Sequence, residues 1–157
     1  MYSIKNILIA EEGRRLKVYK DTKGILTVGI GHNLISDPVI DILGRRLKLD
    51  DMITVAECEK LFQKDLDRVN NNLPKWFTKL KDKYQLVVLN MIFQMGLTRT
   101  LDFYSQKGEP YTINLMLKDD LVEVISHIKK SKWYSDTPNR CDRLIRLLKG
   151  EVVKEYE

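Results

Sequence analysis

Cysteine is scarce in this chain. Cys58 and Cys141 lie far apart and form no CxxC or paired metal spacing. They make no disulfide framework and read as free thiols from a reducing compartment. Four prolines and eight glycines in 157 residues exclude collagen and Pro-rich linkers. No run of 18 apolar residues exists, so no bilayer-spanning helix is expected. The opening Met1-Tyr2-Ser3-Ile4-Lys5 lacks a long apolar segment, so no standard secretory signal is expected. The two histidines belong to no HExxH pattern, and no GxSxG is present. In Thr27-Val28-Gly29-Ile30-Gly31-His32 the glycines resemble a nucleotide loop only superficially, because GxGxxG is incomplete and no Walker lysine follows. Zinc hydrolase, serine hydrolase and nucleotide-binding readings therefore lack support.

What is present fits a folded domain. Apolar residues are 43% and charged residues 31%, which is incompatible with wholesale disorder. A chain of this length can bury a core without staples. Its net charge is +5, and Lys129 to Lys149 alone holds seven basic and two acidic residues. That segment could attract a polyanion such as nucleic acid, cell wall or membrane surface. It reads equally well as an ordinary solvated helix face.

Ile4, Ile7 and Leu8 predict a short helix stopped by Glu11-Glu12-Gly13. Leu16 to His32 predicts a β-hairpin, with its turn at Lys20-Asp21-Thr22-Lys23-Gly24, running into a bend. Ser36-Asp37-Pro38 reads as a helix start, with Val39, Ile40, Leu43 and Leu47 at helical spacing. Thr54-x-x-Glu57 is a capping-box pattern opening a helix that ends near Pro74. The apolar run from Tyr84 to Met95 predicts a helix buried nearly all round, at the centre of the larger core, with Gly96 as its stop. Less regular sequence follows to Pro110. Short helices are expected over Thr112–Leu117 and Leu121–Ile128, and another from Thr137-Pro138 to Gly150. Together these give a mainly helical α+β protein. It has a small β-containing lobe (13–54), a connecting helix (55–73) and a helical lobe (74–157) against which helix 1–12 packs. Two lobes leave a cleft, where sites form.

Among residues that carry chemistry, Glu12 closes the first helix. A carboxylate there meets the unfavourable end of the helix dipole, and burial would further favour the protonated form a general acid needs. Asp21 lies in the hairpin turn, and Thr27 on the returning strand has a hydroxyl able to hold water. Two carboxylates in different environments suit glycosidic bond hydrolysis. By spacing alone they are also two common residues. Trp133, Tyr134 and Trp76 could line a sugar groove or pack in the core.

Four ordered blocks carry a wider likeness. They are Glu12-Gly13-x-Arg15-Leu16-Lys17-x-Tyr19-Lys20-Asp21-Thr22-x-Gly24 with Thr27 to His32, Glu57-x-Glu59-Lys60-Leu61-Phe62-Gln63-x-Asp65, Asn90 to Gly96, and Ser131 to Arg140. The chain resembles the phage T4-type lysozymes, muramidases of the endolysin group. The resemblance implies a lysozyme-like fold and cleavage of the β-1,4 bond between N-acetylmuramic acid and N-acetylglucosamine in peptidoglycan. It implies Glu12 as general acid, Asp21 as second carboxylate and Thr27 as third member of the triad. Phe93 and Gln94 would match cleft residues, Arg140 an arginine near the general acid, and His32 with Asp65 a structural pair. Substrate positions differ from the family: Asn33 stands where the T4-type enzyme has leucine, Thr112 near a serine and His127 near an asparagine. The stretch between His32 and Thr54 is several residues shorter, and Thr98 to Tyr111 matches weakly.

On this reading Glu12 protonates the leaving oxygen while Asp21 and Thr27 position a water, which inverts the anomeric centre. Direct attack by Asp21 is the other route. No metal or organic cofactor is implied, and no stable membrane insertion. The expected partners are peptidoglycan strands and, electrostatically, the anionic wall, with the chain a monomer. A phage enzyme of this kind would be made in the host cytoplasm and reach the wall once the membrane is opened. A non-catalytic peptidoglycan-binding protein is the alternative. A basic nucleic-acid-binding module has no helix-turn-helix or zinc pattern behind it.

Overall fold

Glycine stops and helix caps cut the chain into short elements, and the computed structural model describes residues 2–104 and 112–157. Two compact units result, Lys5–Asn72 and Leu73–Glu157, the latter with the N-terminal Met1–Ile4. The fold is mainly helical, with one small antiparallel sheet near the N-terminus, as the sequence predicts.

In the first unit, α1 (Ile4–Glu12) ends at Gly13, whose φ of +77° breaks the helix while its N–H still bonds the Ile9 carbonyl at 2.9 Å. The hairpin follows as β1 (Arg15–Lys20) and β2 (Leu26–Gly29), with Gly24 at φ +78° in the turn. Tyr19 pairs with Thr27 and Arg15 with Gly29, and a bulge between those pairs shifts the register. The bend after β2 makes a third strand, β3 (His32–Asn33), giving the order β1-β2-β3.

The predicted helix after Pro38 is corrected to a single turn, α2 (Ile40–Leu43), which Leu47 does not join. Pro38 does not enter it, because Val39 adopts φ +50°, a rare conformation for a β-branched residue. Complete burial of Val39 and a 3.0 Å bond from its N–H to the Asp37 carboxylate hold it there. Gly44 at φ +68° then ends the helix.

The long helix α3 (Val55–Asn71) opens with a full capping box: Thr54 Oγ1 accepts from Glu57 N, and the Glu57 carboxylate accepts from Thr54 N, both at 3.0 Å. Its buried face, including Cys58 and Leu61, backs the sheet: a Cβ on Gly29 would touch Cys58 Sγ at 3.4 Å.

In the second unit, α4 (Asp82–Met95) is the central helix, with Tyr84, Val87 and Met91 fully buried. The irregular stretch expected after Gly96 is instead helical as α5 (Leu97–Tyr104). Gly96 at φ +84° turns the chain, yet its carbonyl accepts from Thr100 N and from Thr100 Oγ1, starting the next helix at once. The rest of that expected stretch, 105–111, lies outside the described residues. Then come α6 (Thr112–Leu117), α7 (Leu121–Lys129), a short α8 (Lys132–Asp136) that the sequence reading did not separate, and α9 (Pro138–Leu148) with proline in its first turn. Tyr2 ties the N-terminus here: its hydroxyl accepts from Val153 N at 2.7 Å and its ring meets Tyr156 edge-on. Among the described residues no helix is long and apolar enough to cross a membrane.

Candidate active site

Glu12 is the last residue of α1, and the strand bend at Gly31 fixes what lies beside it. Gly31 has φ +65°, and a Cβ there would come within 3.1 Å of Glu12 Cγ and 3.2 Å of Glu12 Cβ. Only glycine lets the backbone run that close to the Glu12 side chain.

Asp21 and Thr27 are held by one residue between them. The Asp21 N–H donates to the Ile25 carbonyl at 2.9 Å, and Thr27 Oγ1 donates to the same carbonyl at 2.8 Å. In return Asp21 Oδ1 accepts from Ile25 N at 2.9 Å and from Lys23 N at 2.8 Å. The hairpin's own main chain therefore supplies the hydrogen bonds that orient both side chains. Thr27 is buried, and its proton is committed to Ile25, so toward a ligand its oxygen can only accept. Among the described residues Asp21 Oδ2 carries no protein hydrogen bond.

His32 and Asp65 meet as expected. His32 Nδ1 lies 2.6 Å from Asp65 Oδ2, and Nε2 lies 2.8 Å from the Asp37 carbonyl, so both ring nitrogens face acceptors. Burial pulls His32 down, but the Asp65 hydrogen bond and charge outweigh it and hold the ring above its ordinary value. The pair joins β3 to α3, and with both nitrogens occupied it suits structure rather than proton transfer. Asn33, half-buried, spends its side-chain oxygen on a local turn, accepting from Ile35 N at 2.8 Å and Ser36 N at 3.0 Å.

The other predicted residues sit in the helical unit. Gln94 is anchored at both ends of its amide: Oε1 accepts from Trp133 Nε1 at 2.9 Å, and Nε2 reaches Thr137 Oγ1 at 3.5 Å. Its neighbour Phe93 is half-buried. Thr112 Oγ1 and His127 Nδ1 come together at 3.1 Å, pairing α6 with α7. Arg140 is buried and gives Nε and Nη2 to Asn90 Oδ1 at 3.1 and 2.7 Å. It is thus removed from the basic surface that the count over Lys129 to Lys149 suggests. Trp133 packs in the core, whereas Trp76 and Tyr134 are half-buried.

Sequence reasoning passed over Ile25, whose contribution is entirely main-chain, and the fit of Gly31 against Glu12. The closely spaced Gly29 and Gly31 were the available signal for a tight approach. Among the described residues no group of three His, Cys, Asp or Glu could hold a metal ion.

The phage lysozyme family model matches residues 10–140. Two proteins of Dictyostelium discoideum, named Probable T4-type lysozyme 1 and 2, are each 31% identical over an alignment 173 positions long, covering 99% of this chain and 98% of theirs. The pre-baseplate central spike protein Gp5 of Enterobacteria phage T4 is 29% identical, with 98% of this chain aligned to 29% of that protein.

Proposed function

The chain belongs to the phage lysozyme family and is a glycoside hydrolase of peptidoglycan, and we propose that it cuts the β-1,4 bond between N-acetylmuramic acid and N-acetylglucosamine by general acid catalysis with inversion. Glu12 donates a proton to the leaving glycosidic oxygen. Asp21 takes a proton from a water that attacks the anomeric carbon from the opposite face; the old C–O bond breaks as the new one forms. Phe93, Gln94, Thr112, His127 and Asn33 are the proposed glycan-contacting residues, with Arg140 in support.

One observation carries the water-mediated route: the shared Ile25 carbonyl. It accepts the hydrogen bond of the Thr27 hydroxyl, leaving Thr27 Oγ1 an acceptor in the same hairpin as the acceptor Asp21 Oδ2. A water held there gives one hydrogen to each and turns a lone pair outward, as a nucleophile needs. A direct attack by Asp21 gives Thr27 no such task.

The test is clearing of outer-membrane-permeabilised cells by the wild type and by Glu12→Gln, followed by mass analysis of the fragments. Clearing by the wild type alone, with muramic acid at the new reducing ends, is expected. The anomer first released, read by NMR before mutarotation, should be inverted; a retained anomer refutes the water-mediated step.

A further inference from the structure

We propose that Tyr19 is a further substrate-contacting residue, its hydroxyl donating a hydrogen bond to the sugar ring whose anomeric carbon reacts, and that Arg15, stacked on its ring, is the positioning residue that aims it. This rests on the muramidase reading above and deepens it.

Tyr19 stands directly across the β1–β2 ladder from Thr27. Cross-strand partners project from the same face of a sheet, so Tyr19 shares its face with a proposed water-holding group. It is also two residues before Asp21, ahead of the turn that presents that carboxylate. The Arg15 guanidinium lies 4.1 Å from the Tyr19 ring centroid, a close cation–π contact that restricts the ring. The β-bulge between Arg15 and Tyr19 alters the strand where this stack forms.

The tyrosine is half-buried, yet among the described residues its hydroxyl has no protein hydrogen-bond partner. The hydroxyl itself is not buried, so it is open to meet a ligand. Burial raises its proton affinity; Arg15 opposes this, and the charges of Glu12 and Asp21 add to it. The phenol therefore keeps its proton and stays a donor, and both carboxylates lie within electrostatic reach of it. The scissile bond must lie between a proton donor and a water-activating base. The register of Tyr19 opposite Thr27 and two residues before Asp21 places it beside the sugar that reacts there.

Such a bond orients the reacting ring for attack by the water and leaves its developing positive charge to the carboxylates, so its loss should fall on kcat. The experiment measures steady-state cleavage of purified, uncross-linked peptidoglycan strands by wild type, Glu12→Gln, Tyr19→Phe, Arg15→Met and the Tyr19/Arg15 double variant, with rates expressed per folded molecule. Glu12→Gln checks the muramidase reading independently: if that variant is fully active, the reading fails whatever Tyr19 does. Tyr19→Phe should lose about tenfold in kcat, with KM within about twofold and an unchanged melting temperature, since no protein hydrogen bond is lost. Arg15→Met should lose a few-fold alone and nothing more in the Tyr19→Phe background. A Tyr19→Phe enzyme with wild-type kcat overturns the proposal. A displaced acid limb of the pH profile with an unchanged plateau also overturns it, because Tyr19 would then act on the carboxylates and not on the sugar. Equal losses from Arg15→Met in both backgrounds overturn the positioning role.

Discussion

Replacing Gly31 with alanine should separate backbone strain from displacement of the proposed general acid. The new Cβ would meet Glu12 Cγ at 3.1 Å and Glu12 Cδ at 3.4 Å, at φ +65°. Relaxed carbon–carbon contacts lie near 3.5–4.0 Å, so the Glu12 side chain must retreat by roughly 0.5 Å. A misplacement of about 1 Å at a reacting group can cost 100-fold, so a loss of about tenfold in turnover is expected. The left-handed backbone adds a stability cost of about 1–2 kcal/mol, a fall of roughly 3–6 °C in melting temperature. Gly44 supplies the control. It has nearly the same φ, +68°, but a Cβ there meets nothing within 4 Å. Gly44→Ala should lose similar stability and keep its turnover. The assays are thermal unfolding and initial cleavage rate on solubilised peptidoglycan, both per folded molecule. If Gly31→Ala keeps wild-type turnover, or Gly44→Ala loses as much, the contact with Glu12 does not position the acid and the reasoning fails.

Three further outcomes are expected. His32 is held above its ordinary value, so its stabilisation is complete below about pH 6.5 and is lost as pH rises through its folded value. Asp65→Asn should flatten that alkaline loss and cost about 3–5 kcal/mol at pH 5–6 by denaturant titration; an unchanged slope would contradict the pairing. Lys81, Tyr84 and Lys83 hold the Asp119 carboxyl far below the usual carboxylate range, so its contribution is present above about pH 4 and lost as pH falls toward its folded value. Asp119→Asn keeps a residue tolerant of the local φ of +56°, and should melt lower than wild type at pH 7 with a gap that narrows progressively below about pH 4. Clearing of whole cells should weaken with added salt more than cleavage of an uncharged chitin-like oligomer; equal salt responses would remove the wall-attraction reading.

The sequence alone determined where helices stop and start when the signal is carried by neighbouring residues. Gly13, Gly24 and Gly96 take the positive φ their positions imply. Thr54 and Glu57 close their capping box because both partners lie within one turn. Asp21 and Thr27, proposed with Glu12 as the catalytic residues, rest on a similarly local signal: both are tied through one nearby peptide unit inside a block of likeness. Tertiary structure decided what local signals cannot carry. Helical spacing over Val39 to Leu47 did not become a long helix, because burying Val39 over-determined a strained backbone. Arg140 counts as surface charge in a tally, yet it is buried on Asn90, fifty positions earlier. The fit of Gly31 against Glu12 and the stack of Arg15 on Tyr19 belong to the same class. Periodicity and caps report energies between residues a turn apart, whereas close approaches exist only after distant segments have packed.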